Sequence, residues 1–259
     1  MNTDLIVKGK NKKFKKHLHF CGCANLYHYQ LGIISFIAEN YKNCFDNVYI
    51  TCSSSGCIAT FFLNLHPIIN ITDFINVVTK NVCQKVNNHY SNSLFNYSYY
   101  FWIEFEKFYV EKAKNKFNLF DKISNNCGIF ITQKNNNNFI FNPYNYETKI
   151  IEKWDDEQDI LNCVKASSFI PMYHRNQFTY NYKNTRCLDG CTFDIIPIIE
   201  SISSNYQKSL NVTYSMFREF SYYELIVISS NFNYHEALYH LGRADAIKNK
   251  KIFDDFFIN

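Results

Sequence analysis

Three consecutive serines are the residues whose setting points most directly to chemistry. They lie in residues 51–57 (TCSSSGC), between a β-rich apolar run and an apolar helix. A strand, a sharp turn and a helix are the context in which a strained turn exposes a nucleophilic serine at a helix N-terminus. In the G-x-S-x-G register of such turns, Ser54 is the serine, Gly56 is the second glycine, and Cys52 stands at the first glycine. Serines before a helix also serve as N-caps, so this segment alone leaves both roles open.

A serine nucleophile needs a proton acceptor, and the sequence offers one carboxylate in a suggestive setting. Asp189 precedes a glycine in residues 188–197 (LDGCTFDIIP), which is also the pattern of an ordinary turn. A histidine is the alternative, since the order Ser54, Asp189 and then His235 or His240 would fit a Ser-His-Asp triad of the α/β-hydrolase type. We expect both histidines on the exposed face of a C-terminal helix, which favours the aspartate alone.

A loop of small residues follows the first predicted strand, in residues 20–27 (FCGCANLY). Between a strand and a helix, such a loop can turn backbone N–H groups toward a developing oxyanion. Gly22, Cys23 and Ala24 are therefore candidates for stabilising negative charge. A dinucleotide-binding fingerprint does not fit, because its later glycines are missing and no suitable ribose-binding acid follows.

The elements that must position these motifs alternate in the first half of the chain. Extended apolar runs at 18–20 and 48–51 are each followed by helix-spaced apolar residues, at 29–40 and 58–65. This β-α-β-α order predicts an α/β fold with a mostly parallel sheet and helices on its faces. Further strands are expected at 128–132, 139–142, 210–215 and 224–229, a hairpin tip at 135–138, a helix at 234–248, and a buried helical face formed by Trp102, Phe105 and Tyr109.

Together the three motifs, in this order, resemble the patatin-like phospholipases, and most closely the animal adipose triglyceride lipase branch. Members have a glycine-rich loop, then G-x-S-x-G, then D-G-G or D-G-A. The stretch GCANLYHYQLG, from Gly22 to Gly32, is similar to the family's first loop and helix, and residues 166–173 (ASSFIPMY) look like its A-S-x-x-x-P stretch. The resemblance covers roughly residues 17–200, with a weaker echo around Gly242.

The resemblance implies a three-layer α/β/α fold and a lipid acyl hydrolase, a serine esterase without metal or organic cofactor. Ser54 would attack the ester carbonyl, Asp189 would accept its proton directly, and water would release the fatty acid from an acyl-enzyme. Gly22, Cys23 and Ala24 would stabilise the oxyanion. Lipid esters are the implied substrates.

Several positions depart from the family pattern, although Gly56 and Gly190 are retained. Ala24 and Cys191 are small, so we expect them to be tolerated, whereas the Tyr27 ring could redirect the N–H groups of the loop. The alternative is therefore a weakened patatin-like protein that only binds lipid or a partner. The departures are Cys52, Ala24, Tyr27 and Cys191 at family glycines, and Ile195 at a family asparagine.

Composition narrows the class of protein further. Of the 259 residues, 47% are hydrophobic and 19% charged, which fits a globular chain and not a disordered one. There is neither an uninterrupted apolar stretch of about 18 residues nor a signal peptide, so we expect a cytoplasmic or peripheral protein. The ten cysteines are then expected to be buried thiols, with a metal held by Cys21, Cys23, Cys187 and Cys191 as a minor alternative.

Positive charge is concentrated at the N-terminus. Residues 1–16 contain six lysines and one aspartate, whereas the rest of the chain has one more acidic than basic residue. A nucleic-acid-binding body is therefore not supported. We expect residues 1–16 to form a flexible tail, either solvated or in peripheral contact with anionic membrane through Lys8–Lys16. Residues 17–200 would form the catalytic domain, and 201–259 would complete it.

Overall fold

A computed structural model describes residues 14–45, 47–66, 68–88, 96–114, 119–134, 146–171, 177–191, 195–226 and 228–259. Within these ranges the strands are β1 (Lys16–Phe20), β2 (Val48–Ser53), β3 (Cys127–Lys134), β4 (Tyr146–Ile151), β5 (Tyr180–Tyr182), β6 (Thr185–Leu188) and β7 (Lys208–Val212). The helices are α1 (Tyr27–Asn40), α2 (Gly56–Leu65), α3 (Ile71–Phe74), α4 (Lys80–Asn88), α5 (Tyr97–Lys112), α6 (Leu119–Asn126), α7 (Glu157–Ser167), α8 (Ile195–Ser203), α9 (Tyr222–Ile226), α10 (Phe232–Lys248) and α11 (Lys250–Phe257). A 3₁₀ turn (Ala24–Leu26) precedes α1, and a π turn (Ile75–Thr79) joins α3 to α4.

The strands form one mostly parallel sheet in the order β5-β6-β3-β2-β1-β7, and β4 also pairs with β3. Strands β7, β1, β2 and β3 are parallel, while β4, β5 and β6 join by antiparallel pairing. Phe20 pairs with Cys52, so the carboxyl ends of β1 and β2 lie side by side. At such ends, open α/β sheets place their ligand sites.

Helices cover both faces of this sheet. In β2, Val48 and Ile50 belong to the larger core, which includes the buried side chains of α1, α2 and α10. Tyr49, between them, points to a smaller core on the opposite face, where Phe130 and the α8 residue Ile199 also lie. This alternation is the period-two pattern of a strand buried on both sides. The architecture is an α/β/α sandwich, which confirms the predicted fold class.

Most elements of the first half lie where the sequence predicts them, and the later part holds one clear error. The expected strand at 224–229 is wrong, because helix α9 begins at Tyr222. Ser221 and Glu224 form a reciprocal capping box: the Glu224 N–H donates to Ser221 Oγ at 3.2 Å, and the Ser221 N–H donates to Glu224 Oε2 at 2.9 Å. The strand expected at 210–215 ends at Val212. The strand at 139–142 and the hairpin tip at 135–138 lie outside the described residues.

The domain begins earlier in the chain than the sequence predicts. Residues 1–13 lie outside the described residues, but Phe14 is buried, so the expected tail of 1–16 is too long. The Lys15 N–H donates to the Asn47 carbonyl at 3.2 Å, and Lys16 begins β1. Lys16 Nζ also donates to the Phe257 carbonyl at 3.0 Å. At least these two lysines therefore hold structural positions.

Three further expectations can be compared with the structure. All ten cysteines are free thiols, seven of them buried, as predicted. Among the described residues, no helix combines the length and apolar character needed to cross a bilayer. The aromatic face of α5, with Trp102, Phe105 and Tyr109, is buried as expected.

Helices α1 and α10 cross at two glycines, Gly32 and Gly242. A Cβ atom built on Gly32 would lie 2.1 Å from the Tyr239 carbonyl oxygen, and one on Gly242 would lie 2.0 Å from that of Tyr29. Both are backbone contacts, so no side chain can move aside. The crossing fixes α1, and with it the loop that α1 follows.

We predict that Gly242→Ala lowers the free energy of unfolding by at least about 2 kcal/mol, because the added methyl group forces α1 and α10 apart. This loss of stability is opposite to the usual effect, since replacing glycine by alanine inside a helix ordinarily raises the free energy of unfolding by about 0.5–1 kcal/mol. Urea denaturation measures the change, with the exposed α10 substitution His240→Ala as the control. A Gly242→Ala protein as stable as wild type would contradict the close crossing.

Candidate active site

Ser54 lies in a sharp turn between β2 and α2, and its backbone is left-handed, with φ of 52°. This conformation costs a residue with a Cβ about 1–2 kcal/mol, so surrounding contacts must hold it. The Ser54 N–H donates to Ser167 Oγ at 2.8 Å, and the Ser54 carbonyl accepts from Ser168 Oγ at 2.9 Å. Ser55, the N-cap residue of α2, makes no side-chain capping bond. The serines therefore form a strained elbow and not a simple helix cap.

The Ser54 hydroxyl donates directly to Asp189 Oδ2, with an oxygen–oxygen distance of 2.5 Å. The other carboxylate oxygen accepts the Cys191 N–H at 2.8 Å, and Thr132 Oγ1 donates to the Asp189 carbonyl at 2.8 Å. These contacts orient the carboxylate and its backbone separately. The two residues singled out from sequence as nucleophile and base thus lie in contact, although 135 positions separate them.

Burial raises the pKa of the Asp189 carboxyl to about 6, although hydrogen bonds from the Ser54 hydroxyl and the Cys191 amide act in the opposite direction. A carboxylate with this pKa is ionised at neutral pH. It is also a stronger base than an exposed aspartate, whose pKa is about 3.9. General base catalysis is most effective when the pKa of the base lies near the working pH. Asp189 therefore has the position and the basicity to accept the Ser54 proton.

Ser167, at the end of α7, connects the elbow to the turn that holds Asp189. Its hydroxyl accepts the Ser54 N–H and donates to the Phe130 carbonyl at 2.6 Å, while its own carbonyl accepts the Gly190 N–H at 2.8 Å. A Cβ on Gly190 would lie 2.2 Å from the Phe130 oxygen, so only glycine fits there. Sequence reasoning missed this bridging role. The available signal was the A-S-x-x-x-P stretch, which contains Ser167.

The loop after β1 packs directly on the elbow. A Cβ on Gly22 would lie 2.6 Å from Ser54 Cβ, and one on Gly56 would lie 2.2 Å from the Phe20 carbonyl oxygen. The Gly22 N–H donates to Ser53 Oγ at 3.2 Å, whereas the Cys23 N–H donates to the hydroxyl of Ser55 at 2.8 Å. The loop is therefore beside the nucleophile, as expected, but two of its three candidate amides bond to neighbouring serines.

Ala24 and the residue after it begin the 3₁₀ turn and line a cavity that opens beside Ser54. The first amides of a helical turn have no acceptor within that turn, so they are available to a ligand. Ala24 has a φ of 40°, a left-handed backbone that favours glycine. The buried Asn25 side chain donates from Nδ2 to the Glu224 carbonyl at 3.2 Å, which ties α9 to the loop.

Cys52, Cys191 and Tyr27, which stand where the resemblance predicts glycine, have no left-handed backbone. Cys52 is buried, with Sγ 3.8 Å from the Gly128 carbonyl, and Cys191 Sγ lies 2.9 Å from Ser53 Oγ. Tyr27 has an ordinary helical backbone with φ of −60°, so glycine is not required there.

The Tyr27 hydroxyl bonds with that of Tyr97 at 3.2 Å, and the ring lies 3.8 Å from the His28 ring. The ring therefore packs between α1 and α5 and forms part of the cavity wall.

The structure corrects the expectation for one of the two C-terminal histidines. His240 is exposed, as predicted, but His235 is buried in the first turn of α10. Its Nε2 donates to the Ser229 carbonyl at 2.7 Å, its ring lies 4.3 Å from that of His28, and burial lowers its pKa to about 4. His235 thus contacts groups other than the dyad, whose two members bond directly.

The cavity beside Ser54 has a volume of about 170 Å³. Its walls are largely apolar and aromatic, with Ile58 from α2 and Tyr97, Phe101 and Trp102 from α5. An apolar cavity next to a serine hydroxyl suits a substrate whose reacting group carries a hydrocarbon chain.

Within the described ranges, no three histidine, cysteine or acidic side chains form a group that could hold a metal ion. No family model matches the chain, and no curated protein matches it.

We predict that Ala24→Gly raises the free energy of unfolding by about 1 kcal/mol, because glycine relieves the left-handed backbone at this position. Urea denaturation provides the measurement. The control is Ala237→Gly at an exposed position of α10, which should lower stability by about 1 kcal/mol as glycine does in an ordinary helix. Equal destabilisation by both substitutions would show that Ala24 is not held in this conformation.

Proposed function

We propose that the chain is a lipid acyl hydrolase of the patatin-like type, which cleaves carboxylic esters through an acyl-enzyme on Ser54. The observation that carries this proposal is the 2.5 Å hydrogen bond from the hydroxyl of the strained serine to the buried Asp189 carboxylate. The resemblance of the three motifs to the family supports it independently. A serine–aspartate pair needs no imidazole if the carboxylate accepts the proton itself.

In the proposed reaction, Ser54 Oγ attacks the ester carbonyl carbon while Asp189 takes its proton. Negative charge then develops on the carbonyl oxygen beside the loop, where the Ala24 and Asn25 amides begin their turn. The tetrahedral intermediate collapses, the C–O bond to the alcohol breaks, and the alcohol leaves with the proton from Asp189. Water then attacks the acyl-enzyme with Asp189 as the base, which restores the Ser54 hydroxyl and releases the fatty acid.

The alternative function is a protein that binds lipid without cleaving it. A left-handed backbone at position 54 favours glycine over serine, so a binding-only protein would gain stability with glycine in place of Ser54. Asp189 is likewise buried and bonded to the serine, where a neutral residue would avoid the cost of burying a charge. Both features cost stability, and both are what ester cleavage requires. They favour the enzyme over the binding protein.

We predict that Ser54→Ala and Asp189→Asn each lower kcat/KM for p-nitrophenyl butyrate by at least about a thousandfold, because each removes one half of the nucleophile–base pair. Ser201→Ala, at an exposed position of α8, is the matched control and should keep wild-type activity. Circular dichroism should report intact folds. If either site variant is folded and keeps more than a tenth of the activity, the dyad is refuted.

We predict that kcat/KM falls about tenfold per pH unit below pH 6 and is flat from about pH 7 to 8, because only ionised Asp189 accepts the proton and its pKa is about 6. Because the ionised carboxylate is the active form, activity is lost as the pH falls through about 6. A catalytic histidine would give a similar fall in activity at low pH, so the profile is also measured for His235→Asn and His240→Ala. Loss of activity in a folded histidine variant, or a changed midpoint, would favour the triad.

A further inference from the structure

The cavity beside Ser54 is small for the hydrocarbon of a long-chain lipid. Its volume is about 170 Å³. For comparison, an apolar protein cavity of about 150 Å³ holds one benzene molecule, which has six carbon atoms. By this measure the cavity holds an acyl segment of about six to eight carbon atoms.

The α5 side of the cavity is a packed wall that offers little room for a longer chain. Trp102 is buried and its ring lies 5.2 Å from that of Phe101 and 5.4 Å from that of Phe105, both in edge-to-face geometry. Lys165 Nζ lies 6.0 Å from the centre of the indole ring. Protein interiors packed in this way do not yield by a methylene group without a loss of stability.

A hydrogen bond closes another part of the wall. The hydroxyls of Tyr27 on α1 and Tyr97 on α5 lie 3.2 Å apart and are buried. A chain that passed between them would break this buried hydrogen bond, which is costly. On its α1 and α5 sides, the cavity beside Ser54 is thus bounded by packed aromatic groups.

We propose that the site selects esters of short to medium acyl chains, with an optimum near six to eight carbon atoms. This inference rests on the proposed ester hydrolysis at Ser54. Each methylene group that enters the cavity should raise kcat/KM by up to about fourfold, which corresponds to ~0.8 kcal/mol per buried methylene. Methylene groups beyond the capacity of the cavity should add nothing or lower the rate.

The test is kcat/KM for p-nitrophenyl esters of 2 to 12 carbon atoms, each below its critical micelle concentration. Two variants change the size of the cavity in opposite directions. Trp102→Ala enlarges the cavity and should move the optimum to longer chains. Ser98→Phe adds bulk from the same helix face into the cavity and should move it to shorter chains. Val110→Phe, at an exposed position of α5, is the matched control and should leave the optimum unchanged.

Size selection is overturned if wild-type kcat/KM keeps rising to 12 carbon atoms, or if Ser98→Phe leaves the optimum in place. In those cases the esters are still hydrolysed and the proposed function stands. If no ester is hydrolysed faster by wild type than by Ser54→Ala, the proposed function fails and size selection fails with it. Should Trp102→Ala not fold, Ser98→Phe provides the decisive shift.

Discussion

The left-handed backbone at Ser54 is the constraint on which the rest of the site depends. It turns the chain from β2 into α2 within two residues and lifts the hydroxyl toward Asp189. The cost of about 1–2 kcal/mol is comparable to the contribution of one or two buried hydrogen bonds. The bonds that Ser167 and Ser168 make with the Ser54 peptide supply that compensation.

The partners of this turn come from elements far apart in the sequence. The loop after β1 approaches through Gly22, the end of α7 brings Ser167, and the turn after β6 brings Asp189. Their meeting requires the parallel register of β1 with β2 and the pairing of β3 with both β2 and β6. The site is therefore a property of the whole sheet, and a change that shifts one strand would separate the serine from its base.

The sequence predicted the parts of this arrangement that depend on residues close together in the chain. Strand and helix periodicity indicated the α/β fold, and the small residues around Ser54 and Asp189 indicated tight turns. The A-S-x-x-x-P stretch marks Ser167, but the partners of Ser167 and the burial of His235 could not be predicted, because they depend on residues more than a hundred positions away. The mistaken strand at 224–229 arose from its β-branched and apolar residues. The S-x-x-E spacing of Ser221 and Glu224, which is typical of a capping box at a helix N-terminus, was overlooked.

The central claim is that Ser54 is a nucleophile activated by Asp189, and covalent labelling tests it most directly. A fluorophosphonate loses fluoride to an activated serine and leaves a stable phosphonyl adduct. Mass spectrometry of the digested protein should find one adduct, on the peptide that contains Ser54, in wild type. Labelling of Asp189→Asn should be slower by at least about a hundredfold, since the proton acceptor is gone. An unlabelled Ser54 in folded wild-type protein, or equal labelling of both proteins, would contradict the account.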